Sequence, residues 1–471
     1  MRDLTTGSVT RHLFETASFM LVTMVFQTLY FLVDLYWVGR LGKEAVAALG
    51  VAGNLMFISL AVSQMLGVGT TTLVSHAVGR RDREQALLVF NQAQALSLLV
   101  AAVFFGLATA ARGLYTRGLS ADTTTAALAV DYLHWFVPAL ALQFGVVSMG
   151  AALRGTGNFK PGMVVQSATV ILNMILAPFL IFGWVTHRPM GVAGAALATL
   201  IAVAVGTVWL LLYFAPKEAF LKFRPRDWKP RSGVWGALLK IGLPAGAEFA
   251  LMAVYLFVVY WISRQFGAAA QAGFGIGMRI IQAGFMPVVA LGFAVAPVAG
   301  QNFGARQAAR VRETMKSAMG IVVAVMLVFA VACHIAPAAM IGLFSRDPQV
   351  IAVGEEYLRI VSWNFIAAGA VFVASSMFQA IGNTVPSLIC SFVRIGVAVV
   401  PALALARLPA FQLRWLWYLA VASVTLQVIL SLLLLRMELT KRLAFEVAAA
   451  AAEPEARGRG DAMAEAPEPA S

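Results

Sequence analysis

Residues 13–38 read LFETASFMLVTMVFQTLYFLVDLYWV. A helix needs about 20 mostly apolar residues to cross the hydrocarbon of a bilayer, and this run supplies them. It is too long for the apolar region of a signal peptide and carries Asp34, so it is expected to persist as a first membrane span. The whole chain repeats the pattern. Of 471 residues, 60% are hydrophobic and 12% charged, against about 45–50% and about 25% in a soluble domain. So few charges cannot cover a water-facing surface of this size. A soluble enzyme and a disordered chain are both excluded, and a polytopic membrane protein with the lipid bilayer as its main partner is expected.

Lys and Arg number 35 against 22 Asp and Glu, a formal charge of +13. The basic residues lie in short loops between apolar runs, where the positive-inside rule puts them, so no nucleic-acid partner is expected. Cys333 and Cys390 each sit within an apolar run and cannot build a disulfide framework or a metal cluster.

Apolar runs near 13–38, 46–76, 86–111, 122–151, 162–185, 190–214, 235–263, 270–300, 312–343, 350–380, 386–406 and 413–436 predict an all-α membrane protein of twelve transmembrane helices. Alternation of period two, the mark of a membrane barrel, is absent. One set of loops holds Arg80, Arg81, Arg83, Arg154, Lys160, the run between Lys217 and Arg231, Arg306, Arg310, Arg312, Lys441 and Arg442. The alternate set is poorer in Lys and Arg, which predicts both termini in the cytoplasm.

A shift of 225 residues aligns the chain with itself. Leu49-Gly50 falls on Phe274-Gly275, Leu66-Gly67 on Leu291-Gly292, and Val78-Gly79 on Phe303-Gly304. Asp131-Tyr132-Leu133 falls on Glu356-Tyr357-Leu358, Gly157-Asn158 on Gly382-Asn383, and Pro161 on Pro386. The division expected is a six-helix bundle over 1–215, a basic cytoplasmic linker over 216–234, a second six-helix bundle over 235–440 and a disordered Ala/Glu/Pro-rich tail over 441–471. Because six is even, the two bundles are parallel repeats, an arrangement in which transporters place substrate between the halves and rock one against the other.

An Asp at the centre of a span costs about 2.5–3.5 kcal/mol on insertion scales, so intramembrane ionisable residues are functional candidates. Asp34 is the clearest. Helical spacing puts Thr23, Gln27, Tyr30 and Asp34 on one face. In the seventh span Glu248, Met252 and Tyr255 share a face, and Arg279 or Arg394 could pair with Glu248. Asn173 and Thr199 are polar and intramembrane, a pattern more often found in helix–helix hydrogen bonds than in ligands. His76, His134 and His334 have no Cys or acidic partner at metal-ligand spacing, and no Walker A sequence is present, so no metal, no cofactor and no direct ATP drive are expected. An intramembrane enzyme would need clustered His, Asp or Ser partners, which the sequence does not display; a transporter is expected, not an enzyme.

These residues resemble the multidrug and toxic compound extrusion (MATE) family, nearer its bacterial DinF-like members. The resemblance covers about 10–440. It is carried by Asp34-Leu35-Tyr36-Trp37-Val38-Gly39-Arg40-Leu41-Gly42, Ala47-Ala48-Leu49-Gly50, Ala77-Val78-Gly79-Arg80, Arg154-Gly155-Thr156-Gly157-Asn158 before Pro161, Asn173 to Gly183, Gly191 to Thr199, Gly242-Leu243-Pro244 and Gly300-Gln301-Asn302-Phe303-Gly304-Ala305. It implies two bundles around a central cleft, export of organic cations or amphipathic drugs in exchange for protons or Na⁺, and a bacterial plasma-membrane location. It also implies a cation-coupling site at Asp34, Asn173 and Thr199. The polar faces read above place Gln27, Tyr30, Glu248, Met252, Tyr255 and Arg279 along the expected substrate cavity, and a monomer is expected. Two departures bear on mechanism. The family often has a second Asp one turn after the Asn, and here that position is Ala177; the first span also has no proline to bend it. A Na⁺ ion wants several oxygen ligands whereas a proton needs one carboxylate, so proton antiport is the expectation, with Na⁺ coupling or a flippase for a lipid-linked sugar as alternatives.

Overall fold

The computed structural model describes residues 2–120, 122–184, 187–216 and 219–444. They form fourteen helices: α1 (Val9–Gly39), α2 (Lys43–Gly79), α3 (Arg83–Leu119), α4 (Thr123–Gly155), α5 (Lys160–Phe182), α6 (Val192–Phe214), α7 (Ser232–Ser263), α8 (Ala268–Gly304), α9 (Ala308–Ile335), α10 (Pro337–Gly342), α11 (Pro348–Val361), α12 (Phe365–Ala380), α13 (Val385–Leu405) and α14 (Leu413–Arg442). Among the described residues twelve helical stretches are long and apolar enough to cross a membrane, α11 and α12 together making one of them. The twelve expected spans are all present. Of the disordered tail expected over 441–471, Lys441 and Arg442 instead form the last residues of α14, and residues 445–471 lie outside the described residues.

The backbone obeys the same 225-residue shift as the sequence. Helix α2 and helix α8 begin and end 225 residues apart. Left-handed backbone recurs in register at Gly42 and Gly267 (φ 119° and 88°), Arg81 and Arg306 (59° and 57°), and Gly157 and Gly382 (75° and 73°). Two arginines hold a conformation that L residues seldom adopt, at the same turn of each half. The halves differ where proline and irregular turns intervene. Helix α3 runs unbroken, whereas its counterpart divides at Pro337 into α9 and α10; α4 is continuous, whereas its counterpart is interrupted by a 3₁₀ turn at Ser362–Asn364.

The apolar core has first-half clusters, one of which takes in Leu238 of α7, a second, large cluster in the second half, and a small one where Val68 of α2 joins Ile241 and Ala245 of α7. Leu4, Val9 and Leu13 are fully buried in the second cluster, among Val295, Val298 and Val311. The first residues of the chain therefore cross to the other half, which the boundary at 215 gave no reason to expect.

The basic segment between the halves is not a slack tether. Asn91 and Gln92, fully buried on α3, hold it by its backbone. Asn91 Nδ2 donates to the Lys222 carbonyl (3.0 Å), and its Oδ1 accepts from Arg224 N–H (2.8 Å) and Trp228 Nε1 (3.0 Å). Gln92 Nε2 donates to the carbonyls of Asp227 (2.5 Å) and Lys229 (2.7 Å), and its Oε1 accepts from Arg231 N–H (2.9 Å). Leaving buried partners unsatisfied costs about 1–3 kcal/mol per group. Asn91→Ala is expected to lower the melting temperature of the detergent-solubilised protein by several degrees; an unchanged transition would show that the clamp contributes nothing.

The halves meet at the end that carries both described termini. His76 Nε2 hydrogen-bonds the Ala380 carbonyl (2.6 Å), and Gln301 Nε2 donates to the Gly155 carbonyl (2.9 Å). The two donors are repeat partners, and so are the two acceptors. Each of α2 and α8 thus reaches across to the last turn of the other half's helix. The N-terminal segment adds a strap: Leu4 N–H donates to Gln301 Oε1 (3.0 Å), Asn302 Nδ2 donates to the Leu4 carbonyl (3.2 Å), and Arg2 N–H donates to the Thr156 carbonyl (3.0 Å). Close approach requires glycine at Gly79 and Gly304, where a Cβ would run into the backbone of Gln301 and His76 respectively. Among the described residues no hydrogen bond joins the halves at the opposite end. The interface is closed on one face only.

Candidate functional site

In the first half, α1, α5 and α6 bring together Tyr30, Asp34, Asn173 and Thr199. Helix α5 packs on both α1 and α6. Thr199 Oγ1 is the hub: it accepts from Asn173 Nδ2 (3.0 Å), lies 3.1 Å from the Tyr30 hydroxyl, and reaches the Ala195 carbonyl one turn back (3.2 Å). Asp34 is one turn from Tyr30 and 6% exposed. Two buried acceptors are left over, Asp34 Oδ1 and Asn173 Oδ1, neither with a hydrogen-bond partner. Native interiors leave few such atoms. Two unsatisfied buried oxygens on the packed helices α1 and α5, one of them on a carboxyl, could take up a proton or a small cation.

The surroundings decide how many oxygens such a guest would find. Ala177, one turn after Asn173, is 1% exposed and packs with Val38, Leu133, Phe136 and Ile181. A methyl group thus stands where a further carboxylate could have coordinated. Tyr132 of α4, 2% exposed, lies within electrostatic reach of Asp34. Sequence reasoning marked Tyr132 only as part of the repeat; nothing in its spacing tied it to Asp34.

The second half holds a different polar cluster. Glu248 Oε2 accepts from Ser375 (3.2 Å) and Ser387 (3.0 Å), and Oε1 from Ser391 (3.1 Å). Gln427 Nε2 extends the network to Ser391 (3.3 Å). Neither Arg279 nor Arg394 pairs with Glu248, contrary to the ion pair considered from sequence. Serine hydroxyls satisfy the carboxyl instead, Arg279 is exposed, and the Arg394 guanidinium lies 5.2 Å from the Tyr255 ring centre. The three serines were missed; the i, i+4 spacing of Ser387 and Ser391 was the available signal.

Other expected cavity residues are placed less favourably. Gln27 is exposed and has no hydrogen bond among the described contacts, and Met252 is 40% exposed. The stripe Thr23–Gln27–Tyr30–Asp34 twists so that only its last two members reach the polar pocket. Pro244, in one of the stretches that carry the family resemblance, lies inside α7. Arg154, read as a loop residue, is the penultimate residue of α4. His76 serves the junction between halves, and His334 Nδ1 meets Ser362 Oγ (2.9 Å). No group of His, Cys, Asp and Glu able to hold a metal ion occurs among the described residues.

The MatE family model matches residues 20–179 and again 244–404, once in each half. The chain belongs to the MATE family of multidrug efflux transporters. Among similar chains is the multidrug export protein MepA of Staphylococcus haemolyticus, 26% identical over 390 residues, which cover 82% of this chain and 84% of that one. Another, an FAD transporter of Shewanella oneidensis, is 25% identical over 377 residues, covering 79% and 83%. Among solved structures, a MOP superfamily transporter from Pyrococcus furiosus, described as having a binding pocket of reverse polarity, superposes with a TM-score of 0.86 at 25% identity, covering 93% of this chain and 98% of that one. The MATE fold of twelve helices in two bundles and the multi-pass membrane character are thereby established.

Proposed function

We propose that this MATE protein exports organic cations or amphipathic drugs in exchange for protons, by alternating access. The observation that carries the coupling is the first-half pocket, where Asp34 Oδ1 and Asn173 Oδ1 are buried without partners beside the Tyr30–Thr199–Asn173 chain. Burial in low dielectric disfavours an unpaired carboxylate, and a proton resolves the conflict without a coordination shell. Ala177 supports proton over Na⁺, since it removes a carboxylate ligand from the pocket. On the side where the cleft opens, protonation of Asp34 would break its hold on the pocket and on a cationic guest. The halves would then close there and open at the His76–Gln301 junction, where the proton leaves. The single chain supplies both walls of the cleft, which fits action as a monomer. The Lys/Arg-rich face, which carries the junction and both described termini, would face the cytoplasm of a bacterial inner membrane.

The test is uptake of a fluorescent organic cation into inverted membrane vesicles under an imposed pH gradient or an imposed Na⁺ gradient. Uptake driven by the pH gradient and not by Na⁺ is expected. Uptake driven by Na⁺ alone would overturn proton coupling and require other oxygens to replace the missing carboxylate. No uptake under either gradient would direct attention to the lipid-linked-sugar reading.

A further inference from the structure

Arg154 has no role in the coupling pocket, and its placement is unusual. A cation in the last turn of a helix is ordinarily favoured by the helix dipole and extends its head to the water beyond. Arg154 does the opposite. Its Nη1 lies above Gly150, one turn back along α4, and its Nη2 beside Gly67 of α2, each 3.7 Å from where a Cβ would stand. Gly67 is twelve residues, about 18 Å by helical rise, from the α2 terminus at Gly79. The guanidinium therefore points back from the end of α4 into the helix bundle, half-buried, and its one described contact is the Phe293 ring of the other half, 5.7 Å from the ring centre. Among the described residues no carboxylate lies within ion-pair distance and no hydrogen bond reaches any of its five N–H groups.

The fold does not demand this cation. The repeat partner of Arg154 is Gln379, in the same turn of α12. If a guanidinium were needed to build the junction, the second half would need one too. A charge turned into a helix bundle without a partner is expensive, and such charges mark functional sites. The carbonyl of the next residue, Gly155, accepts the bond from Gln301 that shuts the interface. Arg154 thus stands where the two halves converge, at the closed end of the cleft between them.

We propose that Arg154 is a binding site for an anionic group, a carboxylate or phosphate, carried by the transported molecule. Building on the export function proposed above, this makes the preferred substrate an amphiphile with both a cationic and an anionic group. The planar fork of the guanidinium binds such oxygens in bidentate fashion, and the Phe293 ring offers an apolar neighbour for the body of the molecule.

The test uses a matched pair of dyes, a carboxylate-bearing rhodamine and its ethyl ester, titrated by fluorescence polarisation against the full-length protein in nanodiscs. Wild type is expected to bind the acid about tenfold more tightly than the ester, the effect of one charge-assisted pair. Arg154→Gln should bring the two affinities together by weakening the acid alone, and Arg154→Lys should keep part of the preference. Three outcomes overturn the assignment: no preference in wild type, an unchanged preference in Arg154→Gln, or equal loss of both dyes in that variant. Should Arg154→Gln fail to fold, the wild-type ratio and Arg154→Lys decide. Wild type that binds neither dye overturns the drug-export function and this inference with it; wild type that binds the ester but not the acid overturns this inference alone.

Discussion

Asp34→Asn is expected to reduce pH-gradient-driven dye uptake to the level of vesicles without the protein, while the variant folds and inserts normally. The carboxamide is nearly isosteric with the carboxyl, so packing around α1 is preserved. What disappears is the carboxyl beside the Tyr30–Asn173–Thr199 chain, the group proposed to carry the proton between the two faces. The effect on stability should have the opposite sign. Asp34 Oδ1 is buried without a partner, and removing a carboxyl that can be left charged and unpaired relieves a cost. The melting temperature of the variant in detergent should equal or exceed that of wild type. Any residual binding of a cationic dye by the variant should lose its dependence on pH. Normal, gradient-driven efflux by Asp34→Asn would end the coupling proposal.

The second large effect is expected at the junction. Gly304 ends α8, and a Cβ there would strike the His76 backbone, with no flexible side chain to yield. Overpacking of this kind costs about 1–3 kcal/mol, and each 1.4 kcal/mol is about tenfold in population. Gly304→Val should therefore hold the halves apart at this face and slow transport by about tenfold or more. Most of each half's core lies within that half, so both halves should remain folded. The state can be read directly: Ser75 is fully buried beneath Gly300 in the closed junction. A Ser75→Cys reporter should resist a water-soluble maleimide in the parent and react in the Gly304→Val background. An unreactive cysteine together with normal transport would show that the junction tolerates the side chain.

How much of this was written in the sequence depends on the range of the interaction concerned. Twelve spans and a parallel repeat follow from apolar run length and from a constant shift, both of which are local or periodic. The repeat extends to backbone conformation, as Arg81 and Arg306 show. Asp34 stood out because a carboxyl in a long apolar run has few explanations. Asn173 and Thr199 were reached through family resemblance; their spacing alone matched ordinary helix–helix bonding. Residues whose partners come from distant elements were misjudged. Gln27 shares a helical stripe with Asp34 but faces away from the pocket. Glu248 was offered two arginines and is met by three serines. Arg154 counted as loop charge because the end of α4 could be located only to within a turn.

The sequence by itself determined the membrane as solvent, the number of membrane spans and their duplication, because those depend on composition and period. Tertiary structure alone decided which polar groups are satisfied and by what. His76 and Gln301 find the carbonyls of Ala380 and Gly155 some 300 and 150 residues away in the chain. Asp34 and Asn173 keep unpaired oxygens because no third residue arrives to fill them. Arg154 points inward because two glycines and a phenylalanine from three other turns leave it room. Hydrogen bonds act over a few ångströms and depend on angle, so their partners are set by how helices cross, and a linear pattern of residues does not contain the crossing.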